Sequence, residues 1–220
     1  NAELVSKNIS SSYSGFWKTA GLVAVGIDPA KYPYAAETSP YAKDSDWLKP
    51  IDAANAAVNT NAGYVLGAIH LGLDPTNLKT RNIVEDLLSK QGESGAFGLI
   101  NNDVFALLAL DLAGAKYDQE KHLQAILSMQ DETGIFPAWG SLDSTGWALM
   151  ALAPRKERED VAKAIERAVN ALHASYIENG VDNANTAAAF ISGLGSVGEN
   201  IFSDKWTDWQ GRQLVQHLVA

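Results

Sequence analysis

The chain has no cysteine. That absence excludes disulfides, zinc–thiolate sites and cysteine nucleophiles together. Positive charge is also scarce: 17 Lys and Arg stand against 26 Asp and Glu, a net charge of −9. Nucleic acid and anionic membrane surfaces both need a basic face, so neither is an expected partner. No apolar run approaches the roughly 18 residues of a membrane-spanning helix, so no membrane insertion is expected. No Asp-x-Asp-x-Asp-Gly loop offers a calcium site, and four scattered histidines (His70, His122, His173, His217) do not make a zinc site. A cysteine-free composition suits a bacterial exported protein, so an extracellular or cell-surface location is the expectation.

What the chain does have is internal repetition. Gln91, Gly95 and Phe97 recur with the same internal spacing as Gln130, Gly134 and Phe136. Phe105-Ala106-Leu107-Leu108-Ala109-Leu110 then recurs as Trp147-Ala148-Leu149-Met150-Ala151-Leu152. A period of about 40 residues signals a repeat architecture. No linker divides the 220 residues, so one domain spanning 1–220 is expected. A second signal, Gly26-Ile27-Asp28-Pro29, returns as Gly72-Leu73-Asp74-Pro75.

The pattern predicts helices over 2–10, 15–25, 51–58, 62–71 (capped by Asn61) and 82–90, with a long loop over 30–50 that covers a cavity or carries function. From there the helices alternate. Segments 103–112, 144–153 and 186–194 are small and apolar all round; segments 119–129, 158–176 and 208–219 are apolar on one side only. All-round apolar helices lie inside and one-sided helices outside. Asn101, Asp143 and Asn185 stand at the starts of the three inner helices at one constant interval, and Phe105, Trp147 and Ala189 follow at the same interval. The expected fold is therefore all-α, an α/α toroid of about five hairpins, either open or a piece of a six-hairpin barrel that continues into a C-terminal domain.

The two Gln-x3-Gly-x-Phe segments resemble the Gln-x3-Gly-x-Trp repeat of the terpenoid cyclase and protein prenyltransferase superfamily. Ser141-Leu142-Asp143-Ser144-Thr145 with Trp147-Ala148-Leu149 resembles the inner-helix start of that superfamily, most closely in the cobalamin carriers of the intrinsic factor and transcobalamin type and their bacterial surface relatives. Gly72-Leu73-Asp74-Pro75-Thr76-Asn77 and Asn183-Ala184-Asn185-Thr186-Ala187 are similar to the bacterial relatives in particular. The resemblance implies a toroid and, for function, several options: a corrinoid such as cobalamin as a bound cofactor, cyclisation or prenyl transfer. Prenyltransferases need a zinc site with Cys, and thioester domains a reactive Cys; both lack it here. Class II cyclases protonate substrate with the middle Asp of Asp-x-Asp-Asp. At the matching positions Ser141, Asp143 and Ser144 only that Asp remains, without the flanking acids that would tune it.

Asp143 is thus a weak candidate general acid, and the plainer reading makes it a helix cap. Asn101 and Asn185 share its repeat position, and Asn caps as well as Asp but has no acidic proton to give. Phe97 and Phe136 read as packing residues of the repeat. Trp139 belongs to an insertion absent from the earlier copy, so no packing rule demands it. With Trp147, Asp143, Asn101, Asn185, Tyr64 and Trp17 it forms the expected ligand-binding set, an aromatic mouth rimmed by amides and hydroxyls that suits a small molecule, a glycan or a peptide. Trp206 and Trp209 are expected to pack the last outer helix. A non-catalytic binding or scaffold domain is the leading expectation; a cyclase-like enzyme and a protein-interaction module are the alternatives.

Overall fold

The computed structural model describes Gly26 and residues 56–70, 72–78, 80–138 and 141–218. The helices expected over 2–10 and 15–25, the loop over 30–50 and most of the segment 51–58 lie outside these residues, as do Trp17 and Trp139. Among the described residues the protein is all-α, with no strand and only three isolated β-bridges. The α-helices are α1 Val58–His70, α2 Ile83–Leu88, α3 Ile100–Leu112, α4 Gln119–Ser128, α5 Asp143–Leu152, α6 Glu159–Asn179 and α7 Ala184–Val197; short 3-10 turns cover Ala153–Arg155, Asp204–Trp206 and Leu214–Leu218. The chain divides into two compact units, one running to Gln91 and including Leu108–Tyr117, the other made of Gly92–Leu107 and Asp118 onward.

In the first unit α1 packs against α2. Asn82 caps α2 by accepting the Glu85 N–H at 3.1 Å, and Ile83, Val84 and Leu87 form its buried side. Asn61, expected as the cap of α1, instead lies inside that helix and is fully buried. The helix starts earlier because Val58 adds a buried apolar residue to its first turn.

The second unit carries the alternation read from the sequence. Six of the first eight residues of α3 and eight of the ten in α5 are buried, whereas α4 and α6 bury one stripe. In α6 that stripe is Val161, Ala164, Ala168, Val169, Leu172 and Tyr176. Burying a side chain the size of Leu172 stabilises the fold by about 2 kcal/mol. Asp118 caps α4 by accepting the Lys121 N–H at 3.0 Å, and Asn183 caps α7 by accepting the Thr186 N–H at 2.9 Å.

Small residues set the spacing of α5 and α7. A Cβ built on Gly146 would lie 2.4 Å from the Ala189 carbonyl oxygen, and one on Gly193 would lie 2.2 Å from the Gly146 carbonyl oxygen. Glycine is what lets the two backbones touch. The segment 186–194, expected to be buried on every side, is one-sided: α7 buries Ala187, Ala189, Phe190, Gly193 and Leu194 against its neighbours and exposes Ala188 and Ser192.

The outer helix expected over 208–219 does not form. Asp208 is buried, and its Oδ1 accepts the N–H groups of Gln210 and Arg212 at 2.9 Å each, closing a turn at Gly211 (φ +77°). An aspartate that captures these N–H groups competes directly with a helix. The chain then forms the Leu214–Leu218 turn, placing His217 Nε2 3.3 Å from Asp208 Oδ2. Trp206 is fully buried, but against His173 and Tyr176 of α6 and not on the last outer helix expected; Trp209 is exposed.

Candidate functional site

The two Gln-x3-Gly-x-Phe segments form the same turn. Gly92 N–H donates to Ala96 O and Gly95 N–H to Gly92 O; in the later copy Asp131 donates to Ile135 and Gly134 to Asp131. Gly95 and Gly134 have φ of +89° and +92°. Their hydrogens face the backbone of the next outer helix: a Cβ would meet Lys121 O at 2.9 Å in α4 or Arg167 O at 2.5 Å in α6. Gln130 Nε2 fastens the turn by donating to Gly134 O at 2.9 Å and to Ala164 O at 2.8 Å. The glycines of the motif, and Gln130 in the later copy, therefore attach the turn to α4 or α6.

The phenylalanine is attached to the helix that follows it, α3 or α5. Phe97 N–H donates to Asp103 Oδ1 at 2.8 Å, and Asn102 Nδ2 reaches Phe97 O at 3.5 Å. In the later copy Phe136 N–H donates to Thr145 Oγ1 at 3.0 Å, and Ser144 Oγ–H donates to Phe136 O. Asp103 and Thr145 are equivalent positions of the repeat, as are Asn102 and Ser144. Two polar side chains at the start of each inner helix thus hold both backbone groups of the aromatic residue. Phe97 and Phe136 are buried, as the packing reading expects.

This clamp bears on the cyclase motif. Ser144, where a flanking acid would stand, holds Phe136; Ser141 Oγ accepts the Asp143 N–H at 3.2 Å. Asp143 itself does not cap α5. The cap position belongs to Leu142, which makes no side-chain cap bond, and Asp143 is the first helical residue. One position inside the helix, its carboxylate points across to α7, where Asn185 Nδ2 donates to Oδ2 at 3.1 Å. Asn101 and Asn185 are likewise inside their helices, at the second position, so the shared capping role falls for all three.

The three residues instead stand in the first turns of α3, α5 and α7, of which α5 and α7 pack together. Asn101 and Asp143 are buried, with 5% and 9% of their surface exposed, and each keeps one side-chain oxygen, Oδ1, covered and without a hydrogen-bond partner. One turn further along each helix lie Phe105 and Trp147, both half-buried, with ring centroids 5.3 Å apart and planes tilted by 46°. Asn101 and Asp143 each precede one of these rings by four residues, on the same face of its helix. Near the starts of α5 and α7 a cavity of about 400 Å³ is lined by Ser141, Leu142, Asn179, Val181, Asn183 and Phe190, among others. Asp143 and Asn185 therefore meet through a hydrogen bond, and Trp147 meets Phe105 through its ring. Tyr64 is half-buried on α1, in the first unit, with its phenol pushed upward by burial.

Sequence reasoning missed two buried acid–histidine pairs. His122, expected on an outer helix as a solvated or packed side chain, is fully buried with Nε2 3.2 Å from Asp103 Oδ1 and its ring 4.9 Å from Phe97. His217 meets Asp208, whose carboxyl burial pushes up; the Arg212 and Gln210 N–H groups and the Arg212 guanidinium outweigh that and hold it below the ordinary value. Tyr176, which donates to Arg212 O at 2.8 Å, is pushed up to about 12 by burial and by the Asp208 charge. His70 Nδ1 lies 2.7 Å from Leu66 O, within its own helix. Among the described residues no group of three or more His, Asp or Glu is placed to hold a metal, and no helix is long and apolar enough to cross a membrane.

No family model, curated protein or solved structure matches the chain.

Proposed function

We propose that the chain is an α/α toroid of the terpenoid cyclase and prenyltransferase type, serving as a non-catalytic ligand-binding domain of an exported or surface bacterial protein. Support for the toroid comes from all-round buried α3 and α5 alternating with one-sided α4 and α6, and from two turns tied to both layers by matching side chains. The observation that carries ligand binding is the pair of covered, unpaired oxygens on Asn101 and Asp143, each one helical turn before a member of the Phe105–Trp147 ring pair. Unpaired buried acceptors cost stability, and a site that completes them on binding recovers it. A cyclase-like acid role for Asp143 is less well supported, because both neighbouring motif positions are serines engaged in local hydrogen bonds.

The resemblance makes a corrinoid the first ligand to try. Calorimetric titration of the whole chain with a corrinoid panel, a glycan panel and short peptides is the test, with Trp147→Ala and Trp139→Ala as controls. Micromolar binding lost in Trp147→Ala supports a site at the inner-helix starts. Binding unaffected by Trp147→Ala moves the site elsewhere, and turnover of an isoprenoid abolished by Asp143→Asn would replace the carrier reading with the enzyme.

A further inference from the structure

Asn179-Gly180 is the only place in the sequence where asparagine precedes glycine. An asparagine side chain can cyclise onto the backbone nitrogen of the next residue, and a Cβ on that residue is what obstructs it. Glycine has none. Here the glycine is not a free choice. Gly180 ends α6 at φ +68°, and a Cβ on it would lie 3.0 Å from Asp208 Oδ2. The fold therefore fixes the reactive partner, and it leaves Asn179 exposed beside it. We infer that Asn179 is a site of spontaneous modification, converted to aspartate and isoaspartate, and that conversion loosens the 204–218 segment from α6. The Gly180 nitrogen loses its proton to solvent base and attacks Asn179 Cγ. The N–Cγ bond forms, the Cγ–Nδ2 bond breaks, and Nδ2 takes up a proton and leaves as ammonia. Water then opens the succinimide ring, its hydroxyl joining Cγ or the backbone carbonyl carbon of residue 179 and its proton returning to the Gly180 nitrogen. Opening at Cγ gives aspartate; opening at the backbone carbon gives isoaspartate, with the chain rerouted through the side chain. Water enters and ammonia leaves, with no oxidation or reduction.

The first step needs the Gly180 nitrogen to leave the helix. Its N–H donates to Tyr176 O at 2.8 Å, the closing hydrogen bond of α6. Ile177, Glu178 and Asn179 beyond Tyr176 are all exposed, so fraying opens this bond first. Tyr176 itself is buried and tied through its hydroxyl to Arg212 O, so the opening stops there. The product carries a charge that the asparagine did not. It stands at a helix C-terminus, where the backbone dipole disfavours an anion, in a cavity already lined by Asp182. It is also one residue from Gly180, which packs against the Asp208–Arg212 pair that holds the 208–211 turn. Isoaspartate further adds a methylene to the backbone at that contact.

The experiment ages the full chain at body temperature in buffers from mildly acidic to mildly alkaline. Each asparagine is followed by peptide mass spectrometry, and the melting temperature is recorded at intervals. Conversion at Asn179 is expected to run at least several-fold faster than at any other asparagine, to accelerate with pH and to give both aspartate and isoaspartate. Melting temperature should fall in step with it. Asn179→Gln, whose longer side chain closes a ring far more slowly, should hold the melting temperature constant, and Asn179→Asp should melt lower than the unaged chain. Conversion in urea-unfolded chain but none in the folded chain would mean that the bond to Tyr176 protects the site, and overturns the inference. Conversion spread evenly over the exposed asparagines, or aspartate without isoaspartate, overturns it as well. A melting temperature that stays constant through full conversion overturns the loosening of the 204–218 segment.

Discussion

The two glycine–aromatic turns do the same job with different chemistry. In the earlier copy the phenylalanine N–H is held by a carboxylate, Asp103, which is itself buried against His122. In the later copy the same N–H is held by the Thr145 hydroxyl. The outer-helix position that corresponds to His122 is Ala168, since Lys121 and Arg167 approach Gly95 and Gly134 in the same way. One copy therefore uses an ionisable pair and the other a neutral hydroxyl, with alanine at the position of the histidine. The difference teaches that the repeat requires an acceptor at this position, not an acid. Polar residues at an inner-helix start are structural until shown otherwise, and what distinguishes Asp143 is that it holds nothing in its own turn.

Substitutions can break this comparison. The largest effect is expected for Asp103→Ala, which strands the Phe97 N–H and leaves His122 buried without its acid; a loss of about 3 kcal/mol or more in urea unfolding is expected. Thr145→Val removes only a neutral hydrogen bond, and about 1–2 kcal/mol is expected from the same measurement. Equal losses at the two positions would mean that the histidine contributes nothing to the earlier copy. Next come Gly134→Ala and Gly95→Ala, each forcing a Cβ into a helix backbone from a positive φ. Thermal melts should show about 1–3 kcal/mol for each, with Gly134 the more sensitive because its Cβ would approach within 2.5 Å of Arg167 O, against 2.8 Å for the nearest atom of Lys121 at Gly95.

Asp103→Thr combined with His122→Ala rewrites the earlier copy in the chemistry of the later one. A double-mutant cycle should give a coupling of about 1–2 kcal/mol, the pair being less damaging than the sum of its members. The smallest effect concerns pH. Asp208 is held below the ordinary carboxyl value in the folded chain, so the unfolded chain binds its proton first. Its contribution is present above about pH 4, where unfolded aspartate is ionised, and is lost as pH falls through the lower folded value. Acid titration of the melting temperature should therefore slope downward below about pH 4, and Asp208→Asn should flatten that slope.

Much of the second unit was legible in its residues. The alternation of all-round and one-sided apolar segments marked α3 to α6 because burial acts on every residue of a helix and leaves a periodic trace; α7 forms where expected but buries one side only. Helix starts were less legible. Asn61, Asn101, Asp143 and Asn185 carry good capping side chains, yet each sits inside its helix, because packing of the first turn can outweigh a cap of about 1 kcal/mol. The 208–219 segment shows the opposite failure: it has a helical pattern, but Asp208 draws the local N–H groups into a turn and Tyr176 ties Arg212 to α6. The Asp103–His122 pair joins residues on two different helices, so neither residue alone betrays it. Aligning the copies from the inner helix would have set Asp103 against Thr145 and asked what the acid faces. Of the expected ligand set, Asp143 and Asn185 are joined by a hydrogen bond, and Asn101 and Trp147 stand on α3 and α5 in the same unit; Tyr64 belongs to the other unit, and Trp17 and Trp139 lie outside the described residues.

The clamp on the aromatic residue also separates two properties that usually vary together. The stretch from the held phenylalanine to its acceptor is longer in the later copy, where it runs from Phe136 to Thr145, than in the earlier one, from Phe97 to Asp103, with both ends fixed alike. Length drift in that stretch is therefore absorbed before it reaches the inner helix, whose register stays set by the clamp. A scaffold with this property has a built-in port for diversification. Foreign sequence spliced between Ala138 and Ser141 would change what the domain displays without asking its core to move, and a gene lineage could explore new surfaces there at little risk to folding.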